Sequence, residues 1–170
     1  MEKQRIPADF LIGTSSSAWQ IEGCAGKKEG QESWAELFYD TNPDIWYDDV
    51  GPKKASDFYH QYPVDLKLCK MFGINGIRIS IAWSRIFPDG TGKINQQGVD
   101  FYHQLFKECH KNGVEPFVTL HHFDTPNTLF QKGDFLNKET VEAFEKYASY
   151  CFEEYKDEVT YWFTFNEIWA

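Results

Sequence analysis

The sequence predicts an α/β fold: the first four strands and three helices of a (β/α)8 TIM barrel. Three observations carry the prediction. Short apolar runs alternate with segments of helical period, which implies parallel strands joined by right-handed crossovers. Each run ends in polar side chains: Gln20 after the first, the 80–85 region after the second, His122 after the third, Asn166 and Glu167 after the fourth. In barrels the chemistry gathers beyond the carboxyl ends of the strands. Finally, no Gly-rich phosphate fingerprint follows the first run, which weakens the alternative, a doubly wound nucleotide-binding sheet.

In chain order, residues 10–13 read as the first strand, followed by the small residues 14–18 and then Trp19, Gln20 and Glu22. Residues 23–54 show no sustained period. They read as a long loop, with one short helix near 33–39 and a functional role typical of loops this long. A helix begins near Ser56, with Tyr59, Tyr62, Leu66 and Cys69 at helical spacing. Pro63 should kink or restart it, and Gly73 suits its C′ position. Residues 74–83 place Ile77, Ile79 and Ile81 on one face and Arg78 and Ser80 on the other. A charge inside such a strand needs a partner, so Arg78 calls for a carboxylate. The second helix runs from about Asn95 to Gly113, and the third strand spans 116–120. The third helix opens at Asn137, an acceptable N-cap. Its stripe is Val141, Phe144, Ala148, Cys151, Phe152 and Tyr155. The fourth strand, 161–165, holds four aromatics and a Thr, and its lack of alternation predicts a sheet covered on both faces.

At 170 residues, four strands amount to half a barrel, since a whole one needs about 250 residues. Residues 1–170 therefore read as the N-terminal half of a single barrel domain. The net charge of −9 repels polyanions, and no basic recognition motif is present, so nucleic acid is not an expected partner. No run approaches the roughly 18 apolar residues of a membrane span. Cys24, Cys69, Cys109 and Cys151 show no CxxC spacing. With a polar 1–7 that lacks a targeting pattern, they read as reduced thiols of a cytoplasmic protein. An aromatic share of 18% suits packing against sugar rings as well as a bulky core. His121, His122 and Asp124 could form a metal site, but no second ligand set accompanies them; neither metal nor cofactor is expected. His103 and His110 read as surface residues.

The strand ends carry a resemblance. The segments F-L-I-G-T-S-S-S-A-W-Q-I-E-G (10–23), I-R-I-S-I-A-W-S-R-I-F-P (77–88), T-L-H-H-F-D-T-P (119–126) and T-F-N-E (164–167) are similar, in order and spacing, to glycoside hydrolase family 1. Within the family, 55–66, 121–126 and G-D-F-L-N (133–137) resemble the 6-phospho-β-galactosidase type. Plain β-glucosidases usually have Trp at Phe123 and Leu at Thr125. The resemblance makes Glu167 the general acid/base and places Asn166 on the sugar 2-hydroxyl. It gives His122 and Gln20 the other ring hydroxyls and sets Arg78 beneath the site near the nucleophile. It implies a retaining two-carboxylate hydrolysis of a 6-phosphorylated β-galactoside. Alternatives are the gluco or unphosphorylated substrates of the same family, or a short product that binds sugar without cleaving it. Ile12, Trp19 and Cys24 depart from the family pattern around Gln20. The family's I/V-T-E-N-G nucleophile motif does not occur in these 170 residues.

Overall fold

A computed structural model describes residues 6, 7 and 9–168; the polar lead-in 1–5 lies outside it. Four parallel strands form one sheet in the order β1 (Gly13–Ser15), β2 (Gly76–Ser80), β3 (Glu115–His121), β4 (Tyr161–Phe165). Gly13 pairs with Gly76, Gly76 with Glu115, and Phe117 with Tyr161. Three main helices supply the crossovers: α3 (Phe58–Met71), α5 (Gln96–Lys111) and α7 (Lys138–Glu154). Short helices α1 (Ala18–Ile21), α2 (Trp34–Thr41), α4 (Trp83–Ile86) and α6 (Asn127–Phe130) lie in the loops beyond the strand ends. This is the predicted partial barrel.

The first strand starts three residues later than expected. Phe10, Leu11 and Ile12 stay exposed, tacked down by Asn75, whose Oδ1 accepts the Ile12 N–H (2.7 Å) and whose Nδ2 donates to the Phe10 carbonyl (3.1 Å). Within the long loop the expected short helix is α2. Its Ser33 cap and Glu36 form a capping box, Glu36 accepting the Ser33 N–H at 2.7 Å. Helix α3 runs through Pro63 as one helix. The proline removes one hydrogen bond, and Phe58 before it and Leu66 and Cys69 after it bury against one core that spans the defect. Gly73 (φ +73°) ends α3 in the left-handed conformation, with the Ile74 N–H returning to the Cys69 carbonyl (2.9 Å). Asn137 caps α7 through its Oδ1, which accepts the Glu139 N–H (3.0 Å).

The helices cover one face of the sheet. Ile77, Ile79, Val118 and Leu120 are buried there with Leu105, Phe106, Tyr147 and Cys151, each such apolar side chain contributing roughly 1.5–3 kcal/mol. Trp83 is fully buried and stacks on Tyr147 (5.0 Å), whose single hydroxyl proton is shared between the Ile81 and Leu120 carbonyls. The α7 stripe is rotated from expectation: Thr140, Ala143, Tyr147 and Cys151 face inward, while Val141 and Phe152 are exposed. The opposite sheet face carries Arg78, Phe117, Tyr161 and Phe163. Among the described residues no helix lies over it, so Tyr161 (46%) and Phe163 (42%) remain exposed and β4 is not covered on both faces. His103 is not an idle surface residue. Its Nε2 meets Glu154 at 3.0 Å and its Nδ1 meets Glu158, joining α5 to the end of α7.

Candidate active site

Three strand tips build the site. After β1 the chain is held to β2: the Ser16 N–H donates to the Arg78 carbonyl (2.9 Å) and the Ala18 N–H to Ser80 Oγ (2.7 Å). These bonds start α1, where Gln20 is exposed and its Oε1 accepts the Ser17 hydroxyl (2.8 Å). After β3, residues 121–126 turn through Phe123 (φ +62°) and are pinned from α2. The Trp34 N–H donates to the Thr125 carbonyl (3.1 Å), and Ser33 bridges Pro126. After β4, the Asn166 N–H continues the ladder to the His121 carbonyl (3.0 Å), and Glu167 then takes a left-handed conformation (φ +49°). The ladder therefore ends at Asn166, and the turn at Glu167 frees its side chain from opposite-face alternation. A non-glycine residue persists in this disfavoured region only where the surrounding structure over-determines it.

Arg78 is the hub. Its Nη2 donates to Asn166 Oδ1 (2.8 Å) and its Nε to Thr119 Oγ1 (2.9 Å), and its guanidinium lies 4.9 Å from the Phe163 ring centre. Among the described residues its partners are two neutral oxygens and a ring face, on the open face of the sheet where Arg78 is half-buried. His122 is buried, its Nδ1 without a protein partner, and burial together with the nearby Arg78 charge lowers its pKa to about 4. Burial lowers His121 likewise to about 4. Asp124 is fully buried. Its Oδ1 accepts the His122 N–H (3.2 Å), and burial pushes its carboxyl up to about 7.

A cavity of about 420 Å³ opens beside β3 and β4, walled by His121, Phe123, Asp134, Phe135, Phe165, Asn166, Glu167 and Ile168. Of the expected site residues Asn166 and Glu167 line it; Arg78 is connected to it through its bond to Asn166, and His122 lies within reach of the Arg78 charge. Gln20 stands at the far edge of the sheet, and its one side-chain bond is to Ser17. Among the described residues no group of three or more His, Cys, Asp or Glu side chains is placed to hold a metal; the His121 ring turns instead to Thr125 (2.9 Å).

Sequence reasoning missed the ion pair beneath the first tip. Arg85, 2% exposed, donates from Nε to Glu22 Oε2 (2.7 Å) and from Nη1 and Nη2 to the Ala25 and Gly23 carbonyls, while the Tyr102 hydroxyl also bonds Glu22. The signal was a lone Arg in the apolar stretch 81–87. It also missed the cavity walls Phe123, Asp134 and Phe135, which only the turn geometry brings together.

A family model described as glycosyl hydrolase family 1 matches residues 2–170. The chain belongs to glycosyl hydrolase family 1. It is 58% identical over 168 residues to a 6-phospho-beta-galactosidase of Leptotrichia buccalis, covering 97% of this chain and 34% of that protein. It is 56% identical over 164 residues to the 6-phospho-beta-galactosidase of Streptococcus mutans, covering 96% and 34%. Among solved structures, aphid myrosinase superposes with a TM-score of 0.90 at 33% identity, covering 96% of this chain and 36% of that one. A family 1 β-glucosidase from Thermotoga maritima gives 0.89 at 34%, covering 95% and 36%. The chain thus spans about a third of the length of the curated relatives it matches, where counting strands suggested half. No helix among the described residues is long and apolar enough to cross a membrane.

Proposed function

We propose that this chain supplies the acid/base side of a retaining β-glycosidase site acting on 6-phospho-β-galactosides, with the nucleophile contributed by polypeptide beyond these 170 residues. The observation that carries the reading is the β4 tip: Arg78 and the His121 carbonyl fix Asn166, and Glu167 follows, exposed, on the wall of a cavity. In retaining hydrolysis two carboxyl groups stand about 5–5.5 Å apart. Glu167 gives its proton to the glycosidic oxygen as the C–O bond breaks and the second carboxylate bonds the anomeric carbon. Glu167 then takes a proton from the water that cleaves this ester. The same group thus serves as acid in the first step and as base in the second.

The binding roles follow from donor inventory. Asn166 spends its Oδ1 on Arg78, which leaves its Nδ2 to donate to a sugar hydroxyl. His122 is neutral near pH 7 and offers hydroxyl recognition without a competing charge. Gln20 adds an exposed amide on the first tip. The phosphorylated galactoside is supported by identities of 54–58% to the 6-phospho-beta-galactosidases, against 33–37% to the β-glucosidase and myrosinase structures. The phosphate ligands are assigned to none of the 170 residues.

The test is Glu167→Gln in a polypeptide of the relatives' full length. Turnover of substrates with poor leaving groups should fall by about 10²–10⁴-fold, the usual share of a general acid, with activated aryl glycosides spared more. Equal loss for both classes removes Glu167 from the acid role. Comparing 6-phosphorylated with free galactosides and glucosides on the parent protein decides the substrate class.

A further inference from the structure

We propose that His121, Thr125 and Asp134 form a positioning unit that holds the Asn166–Glu167 tip. The inference rests on the reading of Glu167 as acid/base. His121 Nε2 lies 2.9 Å from Thr125 Oγ1, and Thr125 Oγ1 lies 3.0 Å from Asp134 Oδ1. A hydroxyl has one proton. With a carboxylate at one end, Thr125 must donate to Asp134 and therefore accept from His121. This fixes His121 as the Nε2–H tautomer of a neutral ring. Thr125 is fully buried and His121 is 7% exposed, so neither can exchange its partner for bulk water.

The chain of bonds reaches Asn166, the residue before Glu167. The His121 carbonyl accepts the Asn166 N–H (3.0 Å), and the His121 ring packs 5.3 Å from Phe165, the last residue of β4. Phe135, beside Asp134, packs on the same two rings (5.1 and 5.3 Å). Phe123 (φ +62°), Asp134 (φ +50°) and Glu167 (φ +49°) are all left-handed and all border the one cavity. Three separate turns in a disfavoured conformation must be held in mutual register: the imidazole–hydroxyl–carboxylate chain joins the first two, and the His121 carbonyl, through the Asn166 N–H, ties them to the third. Asp134 and Thr125 act through His121 and are positioning residues, not catalytic ones.

The experiment uses a polypeptide of the relatives' full length with ¹⁵N-labelled histidine. The parent should show His121 as the Nε2–H tautomer. Thr125→Val removes both bonds at nearly constant volume and should give a mixture of tautomers. Its kcat on poor leaving groups should fall about tenfold, equivalent to about 1.4 kcal/mol of barrier, with KM little changed. Thr125→Ser should restore both readouts. In Asp134→Ala the hydroxyl loses its acceptor and is free to donate to the ring, so the population should shift towards Nδ1–H; this second variant serves if Thr125→Val does not fold. An unchanged tautomer in both variants, a rise in KM in place of the kcat loss, or failure of Thr125→Ser to rescue overturns the proposal. Its failure is separable from that of the catalytic reading. Tautomer state is read without turnover, whereas Glu167→Gln with undiminished activity removes the acid role and leaves the tautomer lock standing.

Discussion

Asp124 shows how burial decides a titration. Its carboxyl is enclosed beneath the β3 turn, with one oxygen on the His122 N–H and the other without a hydrogen-bonding partner. Burial raises it from the ordinary 3.8 to about 7. A carboxyl raised in the fold favours folding when protonated, so its contribution is complete below pH 3.8 and is lost as pH rises through 7. His121 and His122 run the other way. Both are lowered from 6.5 to about 4, so their contribution is complete above pH 6.5 and is lost as pH falls towards 4. Over the shared window the carboxyl offsets part of what the imidazoles lose. Asp124→Asn should therefore make acid destabilisation between about pH 6.5 and 4 steeper than in the parent, measured as denaturation midpoints across that range. A parallel pair of curves would show that the carboxyl does not titrate there.

At the scale of elements, polar clamps fasten what the apolar stripe alone leaves free to slide. Arg85 and Glu22 lock the loop after β1 to α4, and removing one member of such a buried pair strands the other's charge. His103 does the equivalent for α5 and α7. Both of its ring nitrogens face carboxylate oxygens, which requires the imidazolium, and its pKa is raised by Glu154 and Glu158 against the opposing effect of burial. A raised histidine contributes fully below its unfolded pKa of about 6.5 and loses that contribution as pH rises through the folded value. His103→Gln should cost little, less than about 1 kcal/mol for a pair this exposed. The difference from the parent should be largest below pH 6.5 and vanish at alkaline pH. A constant difference across pH would assign the effect to packing against Tyr155.

At the scale of the molecule, the sheet is open along β1 and β4, and among the described residues no helix lies over its Arg78–Phe163 face. Unpaired parallel edges beside exposed aromatics invite pairing with another chain. The 170-residue polypeptide alone should self-associate in sedimentation velocity. A stable monomer with a single cooperative melt would show that these edges are protected in solution. Joined to the rest of a barrel, the same edges would have strands to pair with and the exposed Tyr161 and Phe163 would have neighbours to pack against.

Local rules made much of this legible. The 3.6 and 2.0 periods, the Asn137 cap, the Gly73 stop and the abrupt polar ending of 161–167 announced the strand–helix alternation and the tip carrying Glu167. They did not announce the rotation of the α7 stripe, the passage of α3 through Pro63 or the neutral partners of Arg78. Each of those depends on which neighbour lies across a contact distant in sequence. The sequence by itself determined the order of elements, the family and the residues at the strand tips, because these are properties of adjacent or periodically spaced residues. Only the tertiary structure decided the Glu22–Arg85 pair, the His121–Thr125–Asp134 chain and the exposure of the Arg78–Phe163 face, because hydrogen bonds and burial are settled by where distant turns meet.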